Sequence, residues 1–153
     1  MRYFLINDNK INISFDFDGV IHFNVCRGEN DKGYRGLNNN EKTLKDANLH
    51  IIKLIVHEYE RCNIHLVTAR KKEELPYVIS VLKNLNIYQF FSHIIATDHE
   101  HKCKFFKKYN IKRHYDDSEY VIDEALEKCS DMNLFQVFPK TGLLKKRDDN
   151  NFY

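Results

Sequence analysis

The fold depends on one segment, Ile13-Ser14-Phe15-Asp16-Phe17-Asp18-Gly19-Val20-Ile21. It is an apolar run that ends in two carboxylates one residue apart, followed by a glycine. Such a run is typical of a central strand, buried on both faces, that stops at the glycine. We therefore expect a buried strand that delivers two acids to its carboxyl end.

Strand and helix patterns alternate along the chain on either side of this segment. Predicted strands cover residues 11–17, 64–67, 93–96, 113–117 and 134–138, and predicted helices cover 41–61, 74–86, 100–109 and 119–129. This alternation predicts the α/β class, with helices on both faces of a mainly parallel five-stranded sheet in a Rossmann-like three-layer arrangement. Residues 3–6 suggest an extra N-terminal edge strand, and residues 145–151 are expected to form a frayed, solvated tail.

Length and composition indicate one domain over residues 1–153, because a chain of 153 residues hides roughly 70% of its unfolded surface on folding. The net charge of +2 argues against a dedicated polycation. No segment approaches the roughly 20 apolar residues of a membrane span. The cysteines are widely spaced, which favours reduced thiols and a cytoplasmic protein; they are Cys26, Cys62, Cys103 and Cys129.

A polar, glycine-containing segment over residues 22–40 follows the first strand and lacks both helical and strand periodicity. It predicts a loop of unusual length, which is either functional or mobile. His22, Arg27 and Arg35 are candidates for substrate contact in this loop, although each also fits an ordinary surface position.

Polar side chains end the other predicted strands or begin the helices after them. They are Asp16 and Asp18 after the first strand, Thr68 after the second, Lys102 in the third helix, and Asp116 and Asp117 after the fourth. Ligands of parallel sheets bind outside the carboxyl ends of the strands. Three carboxylates around one point repel each other unless a cation lies between them, and an all-oxygen set suits Mg²⁺.

Each of these motifs also has an ordinary structural explanation. A lone D-x-D-G sequence is often a turn, and a pair of aspartates often begins a helix. Lys102 lies in a lysine-rich helix, where Lys104 is an equally placed alternative. The run 99–103 offers two histidines and a cysteine at every second position, but on a helix the middle one points away, which argues against zinc.

Together, the order and spacing of these motifs resemble the haloacid dehalogenase superfamily of magnesium-dependent phosphohydrolases. The four motifs are Asp16-Phe17-Asp18-Gly19-Val20, Val67-Thr68-Ala69-Arg70, Lys102 within Lys102-Cys103-Lys104-Phe105-Phe106, and Tyr115-Asp116-Asp117-Ser118. The resemblance covers roughly residues 11–138.

The resemblance implies that Asp16 is a nucleophile that forms an aspartyl-phosphate. Asp18 would protonate the leaving oxygen, activate water and lend its backbone carbonyl to Mg²⁺. Thr68 would hold the phosphoryl oxygens and Lys102 would neutralise charge on the nucleophile and the transferring group.

The resemblance also implies the remaining site residues. Asp16 and Asp116 would ligate Mg²⁺, with Asp117 bound directly or through water. The phosphate would lie against the backbone around Phe17, Gly19 and Ala69, with Arg70 within reach.

Members of the superfamily differ mainly in cap domains, and here only the 22–40 loop stands in the first cap position. An uncapped site would admit a large substrate, unless an oligomer covers it, and lysines beside Arg70 would favour a phosphate backbone. The resemblance therefore implies a phosphomonoester hydrolase acting on a phosphorylated small molecule, a nucleotide or a polynucleotide 3'-phosphate. The alternative is a catalytically silent domain that binds a phosphorylated partner or nucleic acid; the oligomeric state is left open.

Overall fold

The structure, a computed structural model, describes residues 9–23, 36–129, 131–139 and 141–148. Its strands are β1 (Ile11–Phe15), β2 (Cys62–Thr68), β3 (Phe91–Ala96), β4 (Ile111–Asp116), β5 (Asn133–Phe138) and β6 (Leu143–Arg147). Its α-helices are α1 (Asn39–Lys45), α2 (Leu49–Glu58), α3 (Leu75–Asn84), α4 (Lys102–Lys108) and α5 (Glu119–Lys128). The predicted alternation of strands and helices is confirmed in these residues.

All six strands belong to one sheet with the order β3-β2-β1-β4-β5-β6. Strands β1 to β5 are parallel, and β6 is antiparallel to β5. The chain runs outward from β1 to β3 and then crosses back to β4, so the strand order reverses between β1 and β4. Such a switch point is where ligands bind in open α/β sheets, outside the carboxyl ends of the strands.

Two apolar clusters cover the two faces of the sheet. On one face, Ile13 and Phe15 of β1 pack with residues of α2 and α3, including Ile51 and Val78. On the other face, Val67 belongs to a cluster with residues of α4 and α5. Alternate side chains of each strand point to opposite faces, so the central strands are buried on both sides. Helices therefore lie on both faces of the sheet, which is compatible with the predicted Rossmann-like three-layer arrangement.

The sheet has six strands, so the prediction of five strands was wrong. Residues 145–147 are largely exposed, as expected of a solvated tail, but they pair with β5 instead of fraying, and residues 149–151 lie outside the described residues. Gly142, with φ +70°, helps the chain turn back from β5, and the Arg147 side chain donates hydrogen bonds to Gln136 at 2.7 Å and Asp123 at 2.9 Å. Charged side chains such as Lys145 and Lys146 suit an exposed edge strand because they discourage pairing with another chain. The expected N-terminal edge strand over residues 3–6 lies outside the described residues.

The single helix predicted over residues 41–61 was also wrong, because residues 46–48 interrupt it and leave α1 and α2. The Asn48 side chain caps α2 by accepting the Ile51 N–H at 3.4 Å. The Asn48 N–H donates to the Ile21 carbonyl at 2.9 Å, and Ala47 forms a bridge with His22. Pairing with the chain after β1 therefore breaks the helix, and the break suits a residue that favours the capping position.

Only the two ends of the predicted 22–40 loop are described. Its last residues are helical rather than irregular, because the Asn38 side chain accepts the Glu41 N–H at 2.8 Å and α1 begins at Asn39. Arg27, Arg35 and Cys26 lie outside the described residues.

Within the described ranges, none of the helices combines the length and apolar character needed to cross a membrane.

Candidate functional site

A tight turn follows β1 and positions the first two acids. The Phe17 carbonyl accepts N–H groups from Ile21 at 3.0 Å and His22 at 3.2 Å, which closes a single helical turn. Gly19 lies in this turn with φ +75°, a conformation that L-residues rarely adopt. A β-carbon on Gly19 would come within 2.6 Å of Cγ of Asp117. Glycine therefore lets the Asp117 carboxylate approach the turn.

Three carboxylates meet at the switch point. The Asp16 N–H donates to the Tyr115 carbonyl at 2.9 Å, which places the end of β1 beside the end of β4. One oxygen from each of Asp16, Asp116 and Asp117 lies within 4.8 Å of the other two. Among the described residues, this is the set of acidic, histidine or cysteine side chains whose geometry would allow three ligands on one cation.

The Lys102 ammonium joins this cluster. Its Nζ lies 3.1 Å from Oδ1 of Asp16 and 2.7 Å from Oδ2 of Asp116, and its side chain is 5% exposed. Burial lowers the pKa of Lys102, but the two carboxylates more than offset this and raise the pKa above its usual value. Lys104 instead contacts Glu100 at 2.9 Å with a side chain 68% exposed. The structure thus brings Lys102, and not Lys104, to the acids.

The charge of the cluster fits a divalent cation. Three ionised carboxylates and one ammonium sum to −3 + 1 = −2 in a largely buried place. Burial raises the pKa of Asp16 well above its usual value, and repulsion from Asp116 and Asp117 adds to this despite the nearby Lys102. Burial and Asp116 likewise raise the pKa of Asp117. A cation bound by oxygen ligands, such as Mg²⁺, would relieve this repulsion.

A buried hydrogen-bond chain fixes Asp116. His114 Nε2 lies 2.8 Å from Oδ2 of Asp116, and His114 Nδ1 lies 2.7 Å from the Ser14 hydroxyl. Burial lowers the pKa of His114 despite the adjacent carboxylate, which favours a neutral ring. The neutral ring then donates a hydrogen bond from Nε2 to Asp116 and accepts a hydrogen bond from the Ser14 hydroxyl at Nδ1. The Ser118 N–H donates to the other Asp116 oxygen at 3.0 Å.

Sequence reasoning missed Ser14 and His114 as parts of the site. A signal was present, because Ser14 and His114 each lie two residues before a site aspartate on a strand. Residues two apart on a strand share a face, so alternation along β1 and β4 places both beside the acids.

Asp18 lies apart from the three-carboxylate set, in an ion pair with Arg70. Arg70 Nε lies 2.9 Å from Asp18 Oδ2 and Nη2 lies 2.8 Å from Asp18 Oδ1, while Nη1 lies 3.0 Å from Glu74. The guanidinium also lies over the rings of Phe17 and Tyr77, at 5.6 and 5.1 Å from their centroids. Arg70, expected at the phosphate, is therefore bound to Asp18, and Glu74 is a partner that the sequence did not indicate.

The segment after β2 carries the other predicted phosphate-binding groups. Thr68 is fully buried, and its hydroxyl oxygen accepts the Arg70 N–H at 3.3 Å. The loop after β3 braces this segment, because the Thr97 N–H donates to the Thr68 carbonyl and the His99 N–H to the Ala69 carbonyl, both at 2.8 Å. On the β1 side, the Phe17 N–H donates to Oδ1 of Asp16 at 2.8 Å.

The remaining candidate side chains lie outside the carboxylate cluster. His22 is buried and stacks on Phe17, with ring centroids 6.1 Å apart. His101 pairs with Glu124 at 2.8 Å. Residues 99–101 precede α4, so the helical spacing assumed in the argument against zinc does not hold there.

Comparison with known proteins gives little further information. No protein-family model matches the chain. The chain is 33% identical over 141 residues to "Uncharacterized protein L684" of Acanthamoeba polyphaga mimivirus. The match covers 84% of this chain and 28% of that relative, so the chain spans little more than a quarter of the relative's length.

Proposed function

We propose that this protein is a magnesium-dependent phosphomonoester hydrolase of the haloacid dehalogenase type, acting through an aspartyl-phosphate on Asp16. One observation carries the proposal: the buried Lys102 ammonium contacts both Asp16 and Asp116 at the switch point, with Asp117 beside them. A nucleophile, a cation and a set of metal ligands would thereby meet where the fold favours ligand binding.

Asp16, Asp116 and Asp117 would hold Mg²⁺, with the Asp18 backbone carbonyl as a further ligand. When bound, the ion would polarise the phosphoryl group and offset the negative charge that otherwise repels a dianionic phosphate. Lys102 would share this task, because its ammonium already lies between two of the acids.

In the first step, a carboxylate oxygen of Asp16 attacks phosphorus while the bond from phosphorus to the leaving oxygen breaks. Asp18 in its protonated form gives its proton to that oxygen, which leaves as an alcohol. Thr68 and nearby backbone N–H groups hold the phosphoryl oxygens. In the second step, Asp18 takes a proton from water, the water oxygen attacks phosphorus, and phosphate leaves to restore the Asp16 carboxylate.

A catalytically silent domain that binds a phosphorylated partner or nucleic acid is the second candidate. The ion pair between Arg70 and Asp18 favours this binding domain, because an Asp18 carboxylate that stays bound to Arg70 cannot reach a leaving group. Beryllofluoride with Mg²⁺ separates the two candidates. Formation of an adduct on Asp16 supports the hydrolase, and failure to form one supports the binding domain.

The substrate class we propose is a nucleotide or a polynucleotide 3'-phosphate. The exposed Lys71 and Lys72 follow Arg70 and would contact a phosphate backbone. We place the activity in the cytoplasm. Cys103 and Cys129 are free thiols within hydrogen-bonding distance, and a reducing compartment prevents two such thiols from forming a disulfide.

The test is release of phosphate from an aryl phosphate, a panel of nucleotides and end-phosphorylated oligonucleotides. We expect Mg²⁺-dependent release of phosphate by the natural protein and no release by Asp16→Asn. In the absence of metal, the unfolding midpoint of Asp16→Asn should equal or exceed that of the natural protein. Absence of release from every substrate in the presence of Mg²⁺ would overturn the proposal.

A further inference from the structure

A cavity of about 360 Å³ opens beside the candidate phosphate site. Ala69 and Lys102 line the cavity and also belong to the predicted site, so the two share part of their walls. The rest of the wall comes from α5 and the segment before α4, with Tyr120, Val121 and His101 prominent. Its volume is within the range of small-molecule pockets, roughly 300–1,000 Å³.

Two aromatic rings form one wall of this cavity. Tyr120 is 66% exposed, and its ring centroid lies 6.4 Å from that of His101 with the planes tilted by 42°. Aromatic side chains are usually buried because they carry a large apolar surface. The exposed Tyr120 ring at this cavity therefore offers an apolar face to a ligand. A flat ring on the substrate would cover that face by stacking.

Both rings are anchored to one carboxylate. His101 Nδ1 lies 2.8 Å from Oε2 of Glu124, and the Tyr120 hydroxyl also hydrogen-bonds to Glu124. Burial acts to raise the pKa of Glu124, but the hydrogen bonds from His101 and Tyr120 lower it, so the carboxylate stays ionised and holds both rings. His101 Nδ1 and the Tyr120 hydroxyl therefore already have a partner, while the face of the Tyr120 ring stays exposed to a ligand.

The loop that carries His101 is tied to the phosphate site. Asp98 and His99 have φ of +55° and +63°, in the left-handed region that non-glycine residues rarely adopt. Their N–H groups donate to the carbonyls of Arg70 at 3.1 Å and Ala69 at 2.8 Å. Such conformations concentrate at functional sites, where the surrounding structure holds them. These bonds fix the separation between the ring wall and the predicted phosphate-binding segment.

We propose that the phosphate-bearing substrate carries a flat aromatic group, a nucleobase being the biological source, and that this group stacks on Tyr120 in the cavity. The inference rests on the proposed function, since it assigns the leaving group of the same reaction. An aliphatic polyol would gain less here, because it has no flat face to stack on the Tyr120 ring.

The test compares kcat/KM for three esters: a nucleoside 5'-monophosphate, an aryl phosphate and glycerol phosphate. We expect Tyr120→Ala to lower kcat/KM about tenfold for the first two and to leave glycerol phosphate unchanged, since one stacking contact is lost. Tyr120→Phe, which keeps the ring, should retain most of the preference. Phe138→Ala is the matched control, because it removes a 40% exposed aromatic ring that does not line the cavity.

The outcomes separate this inference from the proposed function. Loss for both ring esters supports binding of any flat ring, and loss for the nucleotide alone identifies the nucleobase. If Tyr120→Ala lowers kcat/KM equally for all three esters, or for none, the cavity is not the leaving-group site although the hydrolase assignment stands. If the natural protein hydrolyses none of the three, this inference falls, and the hydrolase proposal falls with it only if end-phosphorylated oligonucleotides also release no phosphate.

Discussion

Two N–H groups of the Arg70 guanidinium hold both carboxylate oxygens of Asp18, at 2.9 and 2.8 Å. This fork is a geometry that lysine cannot reproduce, because an ammonium presents a single nitrogen. If Asp18 is the proton donor and acceptor of the reaction, Arg70 sets its direction and must release it for each transfer.

We therefore expect Arg70→Lys to lower kcat by about 10- to 100-fold, the scale of a misplaced acid or base. KM should change less, since the substitution keeps the positive charge. Steady-state kinetics on an aryl phosphate measures both, with Lys71→Met as the control at the exposed neighbouring position. Unchanged kcat in Arg70→Lys would show that the ion pair has no part in turnover.

The second prediction uses two glycines with the same backbone conformation. Gly19 and Gly36 have φ of +75° and +77°, so alanine at either should cost about 1 kcal/mol of unfolding free energy. A β-carbon at Gly36 meets nothing within 4 Å, whereas one at Gly19 would displace the Asp117 carboxylate. We expect Gly19→Ala, but not Gly36→Ala, to weaken Mg²⁺ activation about tenfold or more, since one proposed ligand moves.

Urea denaturation and Mg²⁺ titrations of activity measure the two effects separately. Equal Mg²⁺ dependence in the two variants would remove Asp117 from the metal site. A loss of stability in Gly19→Ala alone would place its effect in packing rather than in metal binding.

The third prediction contrasts two lysines of α4. Lys102→Met removes an ammonium buried between Asp16 and Asp116, and leaves two carboxylates uncompensated. Without Mg²⁺ at pH 7, we expect a loss of about 3–5 kcal/mol in unfolding free energy, as for other broken buried pairs. Phosphate release should also fall by at least about 100-fold. Lys104→Met, at an exposed pair with Glu100, should change stability by less than about 0.5 kcal/mol. Similar behaviour of the two variants would contradict the placement of Lys102.

The parts of the fold that could be predicted are those that depend on residues close together in the sequence. Four of the first five strands, β1, β2, β3 and β5, contain short apolar runs whose character is local, so they were readable along the chain. β4 is mostly polar in sequence and was predicted from its place in the alternation of strands and helices. β6 was missed because Lys145, Lys146 and Arg147 look like a solvated tail, and only pairing with β5 makes them a strand. The break before α2 was missed because apolar spacing continues through it, while the cause is a contact with residues 21–23.

The site shows the same division. Asp16 and Asp116 were predicted together because parallel strands bring their carboxyl ends to one edge, whatever the details of packing. Lys102 was preferred to Lys104 only through the family resemblance, because both lie in the same lysine-rich helix. The pairing of Arg70 with Asp18 joins residues 52 positions apart and depends on the shape of two turns, which local pattern does not specify. The hydrogen bond between His114 and Asp116 could have been predicted from the sequence, because both residues lie on one face of β4.

The fourth prediction concerns a pair of histidines, His65 and His93, whose rings lie beside Tyr109 at the end of α4. His65 Nδ1 lies 3.1 Å from His93 Nδ1, and His65 Nε2 lies 3.0 Å from Oδ1 of Asn12. Burial, with a smaller contribution from His93, lowers the pKa of His65 to about 4. The unfolded state, with a pKa near 6.5, then binds more protons than the folded state between these values. The stabilisation of the folded state that comes from this pKa difference is complete above about pH 6.5 and is lost as the pH falls toward 4.

The difference of about 2.5 between these pKa values corresponds to at most roughly 3–4 kcal/mol of unfolding free energy. Urea denaturation at several pH values measures it. His65→Gln should flatten the decline between pH 6.5 and 4 relative to the natural protein, whereas His50→Gln, at an exposed position, should leave it unchanged. An identical slope in His65→Gln would assign the decline to other groups.

The most direct test of the hydrolase proposal is to trap the phosphorylated protein. The natural protein is mixed with an aryl phosphate and Mg²⁺, quenched in acid during turnover, and examined by mass spectrometry of the intact chain and its peptides. We expect a fraction of the chains to gain the mass of one phosphoryl group, located at Asp16, and no gain in Asp16→Asn. Turnover without any such adduct in the natural protein, or an adduct located at another residue, would contradict Asp16 as the nucleophile.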